Sequence, residues 1–194
     1  YDQELQRIVA VKVPRPERLH SAEAFLAEAR RVARLKHDGI VAVYDCGVQD
    51  ASCFIVSEHM DGGSLADRIV KQSPTQDDAV RWLAEVAEAL DFAHRNGVIH
   101  KDVKPANILI DQHGRAKLAD FGIAQSAMKT GRFSPSLGTL RYMAPEALQG
   151  ADADPHADIF SLGVVLHEAL TGQIPYGSYE PAMLRRAILA GKQS

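Results

Sequence analysis

The chain has 194 residues, 46% of them hydrophobic and 24% charged, with a formal net charge of -3. That length suffices to bury a core in one domain or two small lobes, and the composition excludes a disordered or fibrous chain. The slightly acidic balance offers no basic surface for neutralising phosphates, so nucleic acid is not an expected partner.

Residues 7–13, Arg-Ile-Val-Ala-Val-Lys-Val, are β-branched and short and are stopped by Pro14 and Pro16, which predicts a strand. No basic and apolar leader precedes them, which points to a cytoplasmic chain. With no initiator Met and a strand beginning almost at once, the sequence is expected to start inside a longer protein. A helix comes next, with Ser21 as N-cap, Glu23 in its first turn, and Phe25, Ala29, Val32 and Leu35 at helical spacing up to residues 37–39. Residues 40–44 and 53–57 read as two strands separated by a polar turn at Gln49 and Asp50. The only cysteines, Cys46 and Cys53, are too few for a disulfide framework and lack zinc spacing, so they are expected to be reduced, strand-borne thiols.

From Ser64 the pattern turns helical. Its clearest segment is 75–96, where Thr75 and Asp78 resemble a capping box, Gly97 closes the end, and Val80, Leu83, Ala87, Leu90 and Ala93 or His94 form the apolar stripe. A second strong helix begins at Asp154-Pro155 and runs through Ile159, Leu162, Val165, Leu166 and Ala169 to Gly172, with an apolar face wide enough to predict burial. The apolar stretch 159–170 is interrupted by polar residues and is shorter than the ~20 residues a bilayer demands, so no membrane segment is expected. A strand-rich beginning followed by helices predicts an α+β protein in two lobes: a small β-rich lobe over 1–58, a hinge at 59–63, and a mainly helical lobe over 64–194.

Chemistry concentrates in His100-Lys101-Asp102-Val103-Lys104-Pro105-Ala106-Asn107, which fits H-x-D-x-x-x-x-N, and in Asp120-Phe121-Gly122. A carboxylate at Asp102 can orient an incoming hydroxyl and accept its proton, while Lys104 places positive charge beside a transferring phosphoryl group. Asn107 and Asp120 supply hard oxygen ligands of the kind Mg²⁺ prefers. Each piece alone is a common turn or surface motif, but their joint order and spacing resemble those of protein kinases.

Further stretches extend that resemblance and carry its implications to individual residues. Val9-Ala10-Val11-Lys12 looks like the strand whose lysine binds the α and β phosphates of ATP, and Glu28 looks like the helical glutamate that pairs with Lys12. Residues 54–63 resemble a hinge in which backbone groups of Glu58 and Met60 hydrogen-bond adenine, their side chains mattering little. By the same resemblance Ala10 and Leu109 would sandwich the purine, and Ser57 would stand as a small gatekeeper before an accessible pocket. Gly138-Thr139-Leu140-Arg141-Tyr142-Met143-Ala144-Pro145-Glu146 looks like the end of an activation segment, and Thr139 together with Lys104 matches the Ser/Thr-specific pattern. Asp158 is similar to the buried aspartate that anchors the catalytic-loop backbone. The likeness is closest to bacterial, PknB-type Ser/Thr kinases, which implies ATP with Mg²⁺ (or Mn²⁺) as cofactors, Ser/Thr-bearing proteins as substrates, and dimerisation for autophosphorylation.

Two departures qualify this picture. No glycine lies in residues 1–7, so the glycine-rich phosphate lid is missing from the sequence, which is expected to weaken ATP binding and expose a strand edge. Lys101 stands where the family has arginine, which loses the planar fork that grips a phosphate and weakens control by phosphorylation at the candidate sites Ser126, Thr130, Ser134 and Ser136. The sequence thus leaves two readings: an active Ser/Thr kinase, or a pseudokinase or truncated scaffold that binds partners without turnover.

Overall fold

The computed structural model describes residues 1–14, 19, 21–50, 52–71, 73–122, 136–152, 154–177 and 180–191. Strands β1 (Val9–Lys12), β2 (Val43–Gln49) and β3 (Ser52–Glu58) form an antiparallel sheet in the order β1-β3-β2. Val9 lies opposite Glu58 and Lys12 opposite Ile55, so the strand carrying Lys12 runs directly beside the one that ends at Glu58.

Strand β2 differs from expectation. The sequence pattern places its body at residues 40–44, yet it begins at Val43 and continues through the polar stretch to Gln49, while Ile40 makes only an isolated parallel bridge to Leu118. The reason is its place at the sheet edge: Tyr44, Asp45, Val48 and Gln49 face solvent, and backbone pairing to β3 replaces side-chain burial as the driving force. Gly47 leaves room there for the Phe54 ring opposite, which a Cβ would approach to 2.8 Å.

Helix α1 (Ala22–Val32) starts where Ser21 Oγ accepts a hydrogen bond from the Ala24 amide (3.1 Å), and it buries Phe25, Ala29 and Val32 against β2 and β3. Leu35 is buried as well, but beyond the end of the helix.

The remainder is mainly helical. It contains α2 (Leu65–Lys71), α3 (Gln76–Arg95), the hairpin β4 (Ile108–Ile110) and β5 (Ala116–Leu118), short helices α4 (Leu137–Leu140) and α5 (Pro145–Leu148), then α6 (Pro155–Thr171) and α7 (Pro181–Ala190). Thr75 caps α3 by accepting from the Asp78 amide (3.1 Å), and its hydroxyl donates back to Asp78 Oδ2 (2.9 Å).

The buried face of α3 is turned from the expected stripe: Val80 is 51% exposed, while Ala79, Trp82, Val86 and Ala89 join Leu83, Leu90 and Ala93 inside. Trp82 and Glu85 account for the turn. The Trp82 indole donates to Gly114 O (2.7 Å) and the Glu85 carboxylate accepts from Ala116 N (2.6 Å), fixing α3 against the β4–β5 hairpin. Helix α6 is turned likewise: Ile159 is 51% exposed, and Asp158, Ser161, Val164, Val165 and Ala169 are buried.

The sheet and the helical part are joined by backbone. Val41 donates to Leu118 O (3.0 Å), Leu118 to Gly39 O (2.8 Å) and Ile110 to Gly63 O (2.9 Å). Gly62 passes so close to β4 that a Cβ there would meet Ile110 O at 2.3 Å. The α+β architecture expected from the sequence is the one observed. Among the described residues no helix is long and apolar enough to cross a membrane.

Candidate active site

The loop between α3 and β4 is held from beneath by one carboxylate. Asp158, 1% exposed at the first turn of α6, accepts hydrogen bonds from the backbone N–H groups of His100 and Lys101, both at 2.8 Å. The His94 ring on α3 donates through Nε2 to the same group at 2.8 Å. A buried carboxylate needs such partners, and here they fix a strained backbone: Lys101 has φ of 69°, a conformation non-glycine residues rarely adopt.

His100 is fully buried. Its Nε2–H donates to Ala119 O (2.9 Å), which leaves Nδ1 to accept from the Asp102 amide (3.2 Å). Burial depresses its pKa below the usual 6.5, outweighing the opposing pull of Asp158. The ring leans on Phe121, centroids 4.6 Å apart, and the Gly122 amide donates to His100 O (2.8 Å). One neutral imidazole therefore ties the segment holding Asp102 to the segment holding Asp120.

Around Asp102 four expected residues come together. Oδ2 accepts from Lys104 Nζ (2.6 Å) and Asn107 Nδ2 (3.1 Å), and Lys104 Nζ also donates to Thr139 Oγ1 (3.2 Å). The Asn107 amide nitrogen additionally donates to Asp102 O (2.8 Å), which orients its carbonyl oxygen away from these bonds. Among the described residues, Asp102 Oδ1 is the one buried side-chain oxygen or nitrogen with no hydrogen-bond partner. An unpaired buried carboxylate oxygen costs free energy, so Oδ1 marks a position with capacity for one further donor.

Asp120 also has a left-handed backbone, φ 61°, and its carboxylate lies against the Lys12 ammonium. This corrects one expectation. Lys12 pairs with Asp120, and Glu28 with Arg31 on its own helix at 3.8 Å, so the Lys12–Glu28 pair is not formed. Glu28 lies on the same stripe of α1 as Phe25 and Val32, three and four residues away, with its side chain 14% exposed; the pairing differs because the Lys12 ammonium lies against Asp120 instead.

Lys12, Asp102, Lys104, Asn107 and Asp120 line one cavity of about 390 Å³. Lys12 and Asp120 also border a second, of about 310 Å³, walled by Ala10, Ser57, Glu58, Met60 and Leu109. The residues expected from the sequence to contact adenine thus surround one space, which meets the first cavity at Lys12 and Asp120. The Glu58 side chain does more than expected: Oε1 accepts from Lys117 Nζ (2.6 Å) and Oε2 from Ala42 N (3.3 Å), clamping the hinge to β5 and to the approach to β2.

A divalent cation fits the donor set. Asn107 and Asp120 bring hard oxygens to one cavity wall, and among the described residues no cluster of three His, Cys, Asp or Glu competes as an all-protein site. Two protein oxygens completed by phosphate oxygens and water is how Mg²⁺ is commonly held.

Of the candidate modification sites, Ser136 is exposed and caps α4, its Oγ accepting from Thr139 N (3.4 Å), whereas Ser126, Thr130 and Ser134 lie outside the described residues. Three supports are not evident from the sequence pattern. These are the part of His94 in holding Asp158, the bond from Ser161 Oγ to Tyr142 O (2.7 Å), and the bond from the Tyr142 hydroxyl to Glu168 Oε2 (2.7 Å). A histidine on the inner stripe of α3 is the available signal for the first.

A carboxylate with one unpaired oxygen beside a lysine, joined through a buried histidine to a second carboxylate on the same cavity, is the arrangement expected of a protein kinase fold. The protein kinase domain family matches residues 1–191, and the chain belongs to that family. Within it, the chain is 39% identical to the serine/threonine-protein kinase PknB of Mycobacterium tuberculosis over 192 residues, covering 93% of this chain and 31% of that protein. It is 39% identical to PknB of Mycolicibacterium smegmatis over 187 residues (90% and 30%), and 41% identical to the serine/threonine-protein kinase PknL of M. tuberculosis over 182 residues (90% and 45%). The chain therefore spans less than half of the length of these curated relatives. Protein kinases use ATP and a divalent cation.

Proposed function

We propose that this chain carries the catalytic machinery of a serine/threonine protein kinase that transfers the γ-phosphate of ATP, with Mg²⁺ or Mn²⁺, to hydroxyls of cytoplasmic proteins. The observation that carries this reading is Asp102 Oδ1, buried and unpartnered while Oδ2 is held by Lys104 and Asn107. That oxygen is the one available to accept the proton of a substrate Ser or Thr. As the hydroxyl oxygen bonds to the γ-phosphorus, the bond to the β-phosphate oxygen breaks and ADP leaves. Lys104, already bridging Asp102 and Thr139, meets the charge developing on the transferred group. Lys12 exchanges its contact with Asp120 for the α and β phosphates, which frees the Asp120 carboxylate for the cation. Asn107 and Asp120 would hold the cation, which would supply neutralisation of charge at the phosphate oxygens. The adenine would fill the space between Ala10 and Leu109, with backbone groups of Glu58 and Met60 as its hydrogen-bond partners.

The names of the relatives support Ser/Thr as the acceptor class, as does the Lys104–Thr139 bond. Autophosphorylation between two copies at Ser126, Thr130, Ser134 or Ser136 belongs to the same proposal. Phosphotransfer to a generic basic protein, compared with Asp102→Asn, tests it. Transfer that falls by a factor of at least ~10² in the variant is expected; equal transfer by both proteins refutes the assignment.

A further inference from the structure

The two thiols of the chain, Cys46 on β2 and Cys53 on β3, take no part in the site described above and are both free. In an antiparallel pair, residues directly opposite point to one face, as do residues two apart on one strand. Cys46 stands opposite Ile55 and Cys53 opposite Val48, so both thiols face the same side of the sheet, one diagonal step apart. That side is the one covered by α1: Cys53 belongs to the buried core with Phe25, Ala29 and Val32, and Cys46 packs against it. We propose that hydrogen peroxide closes Cys46 and Cys53 into a reversible disulfide, and that this bond displaces Ile55 in the wall of the two cavities at Lys12. The second part rests on the kinase reading above; the first does not.

Three observations carry it. The first is reach. Diagonal neighbours across a ladder stand about 7–8 Å apart at Cα and closer at Cβ, and a disulfide spans about 4.4–6.8 Å at Cα, so closure asks for a shift of about 1 Å. Strand β2 can supply it. Among the described residues it pairs with β3 alone, its register slips between Val43 and Asp45, and Asp50 beyond its end has a left-handed φ of 47°. It therefore moves without breaking a second ladder.

The second is unequal access. Cys53 is 2% exposed, whereas Cys46 is half-buried on the edge strand, so peroxide meets Cys46 first. The Cys46 thiolate attacks one peroxide oxygen, the O–O bond breaks, and the departing hydroxide takes up the thiol's proton to become water; the sulfur is left as a sulfenic acid. The Cys53 thiolate then attacks that sulfur, the S–O bond breaks, and a second water leaves in the same way. Two thiols lose two hydrogens, and one peroxide becomes two waters. An external dithiol reverses the bond by exchange.

The third is what the pair touches. Ile55 is the cross-strand partner of Cys46, stands two residues from Cys53 on the same face, and lines both cavities; Phe25, in the same core, lines one of them. Drawing Cys46 toward Cys53 acts on that wall from behind.

The test treats the reduced protein with hydrogen peroxide at low protein concentration and cleaves it on the N-terminal side of aspartates. Cleavage before Asp50 separates the two cysteines, so residues 45–49 and 50–60 are expected to stay joined, to lack two hydrogens, and to part on adding dithiothreitol. Sulfinic or sulfonic acid without a link, links only between two chains, or no modification overturns the disulfide, and none of these readings needs a variant to fold. Cys46→Ser should leave Cys53 unmodified at the exposure that completes the reaction in the parent protein, while dimedone should capture the Cys46 sulfenic acid in Cys53→Ser. Cys53 reacting as fast without Cys46 overturns the order of attack.

At the cavities, a fluorescent ATP analogue is expected to bind the oxidised protein at least ~5-fold more weakly than the reduced one, with recovery on reduction. Equal affinity of the two forms overturns the displacement of Ile55. If the protein transfers no more phosphate than Asp102→Asn, the kinase reading fails and the second part falls with it, while the joined fragments still judge the disulfide.

Discussion

Removing the Asp158 carboxylate should show how much of the catalytic site is held from below. Asp158→Ala leaves three buried donors, the N–H groups of His100 and Lys101 and the His94 ring, each now 2.8 Å from an acceptor, without one. Losing a buried charged partner of this kind costs about 3–5 kcal/mol, against a total of about 5–15 kcal/mol for a domain. For a chain of this size that predicts a fall in Tm of roughly 6–20 °C. Asp158→Asn is milder. Its amide keeps one oxygen, which can satisfy His100 N and His94 together, so only the Lys101 amide loses its acceptor, at about 1–3 kcal/mol.

The Lys101 backbone at φ 69° is then no longer secured, and it relaxes toward the more favourable region, carrying Asp102 with it. A displacement near 1 Å costs about 10²-fold in turnover. Urea unfolding with an unchanged m-value reads the stability term, and kcat for phosphotransfer reads the displacement. KM for ATP should stay within about threefold, since Lys12 and the hinge are untouched. An Asp158→Asn protein with wild-type stability and wild-type kcat refutes the reasoning, because it would mean that neither the bond to Lys101 nor its strain matters.

Two further outcomes concern single residues. Gly62→Ala places a Cβ 2.3 Å from Ile110 O and 2.9 Å from Ile110 C, both backbone atoms that cannot swing aside, so a loss of about 3 kcal/mol is expected in chemical denaturation. Gly114→Ala, with φ of 76° and nothing within 4 Å, should cost only the ~1–2 kcal/mol of its left-handed backbone; equal losses at the two sites would contradict this account. Stability should also fall as pH drops below 6.5. There the unfolded chain protonates His100 while the buried ring, its pKa depressed, stays neutral, so the unfolded state binds more protons and is favoured by acidification. The slope attributable to this one group is at most about 1.4 kcal/mol per pH unit. The carboxylates held below their ordinary 3.8, such as Asp111, act only at lower pH. Unfolding free energies that are flat from pH 7 to 5.5 would remove His100 from this role.

The residues around Asp102 are legible in the sequence because their chemistry is local. Asp102, Lys104 and Asn107 lie close together in the chain, and the geometry that joins them is set by a short loop and a single 3-10 turn over Pro105–Asn107. What is not legible depends on how faces meet. Strand β2 is placed too early in the chain because the apolar run ends at Tyr44, and only the pairing of Cys46, Gly47, Val48 and Gln49 with β3 extends it to the expected turn. The stripes of α3 and α6 fall off their true faces when apolar residues alone are counted, because the count favours Val80 and Ile159. The buried faces instead include Trp82, Asp158 and Ser161, whose polar atoms all find partners. The Lys12–Glu28 pair fails for a different reason: Glu28 sits on the inward stripe of α1, but residue types do not state which carboxylate the Lys12 ammonium meets.

The misread faces of α3 and α6 and the success at Asp102 have one physical root. Polar residues on inner faces are costly unless satisfied, so in this fold they occur where they hold backbone that would otherwise relax. Asp158 holds Lys101 in a left-handed conformation, and His100, through Ala119 O and its contact with Phe121, holds the segment in which Asp120 is left-handed too. Lys101 immediately precedes one of the two carboxylates that face the shared cavity, and Asp120 bears the other. Their supports converge on α3 and α6, through His94 and Asp158, rather than on the sheet. The two left-handed turns beside these carboxylates are therefore secured from the helical part, while the small sheet meets the cavity through Lys12, which lies against Asp120.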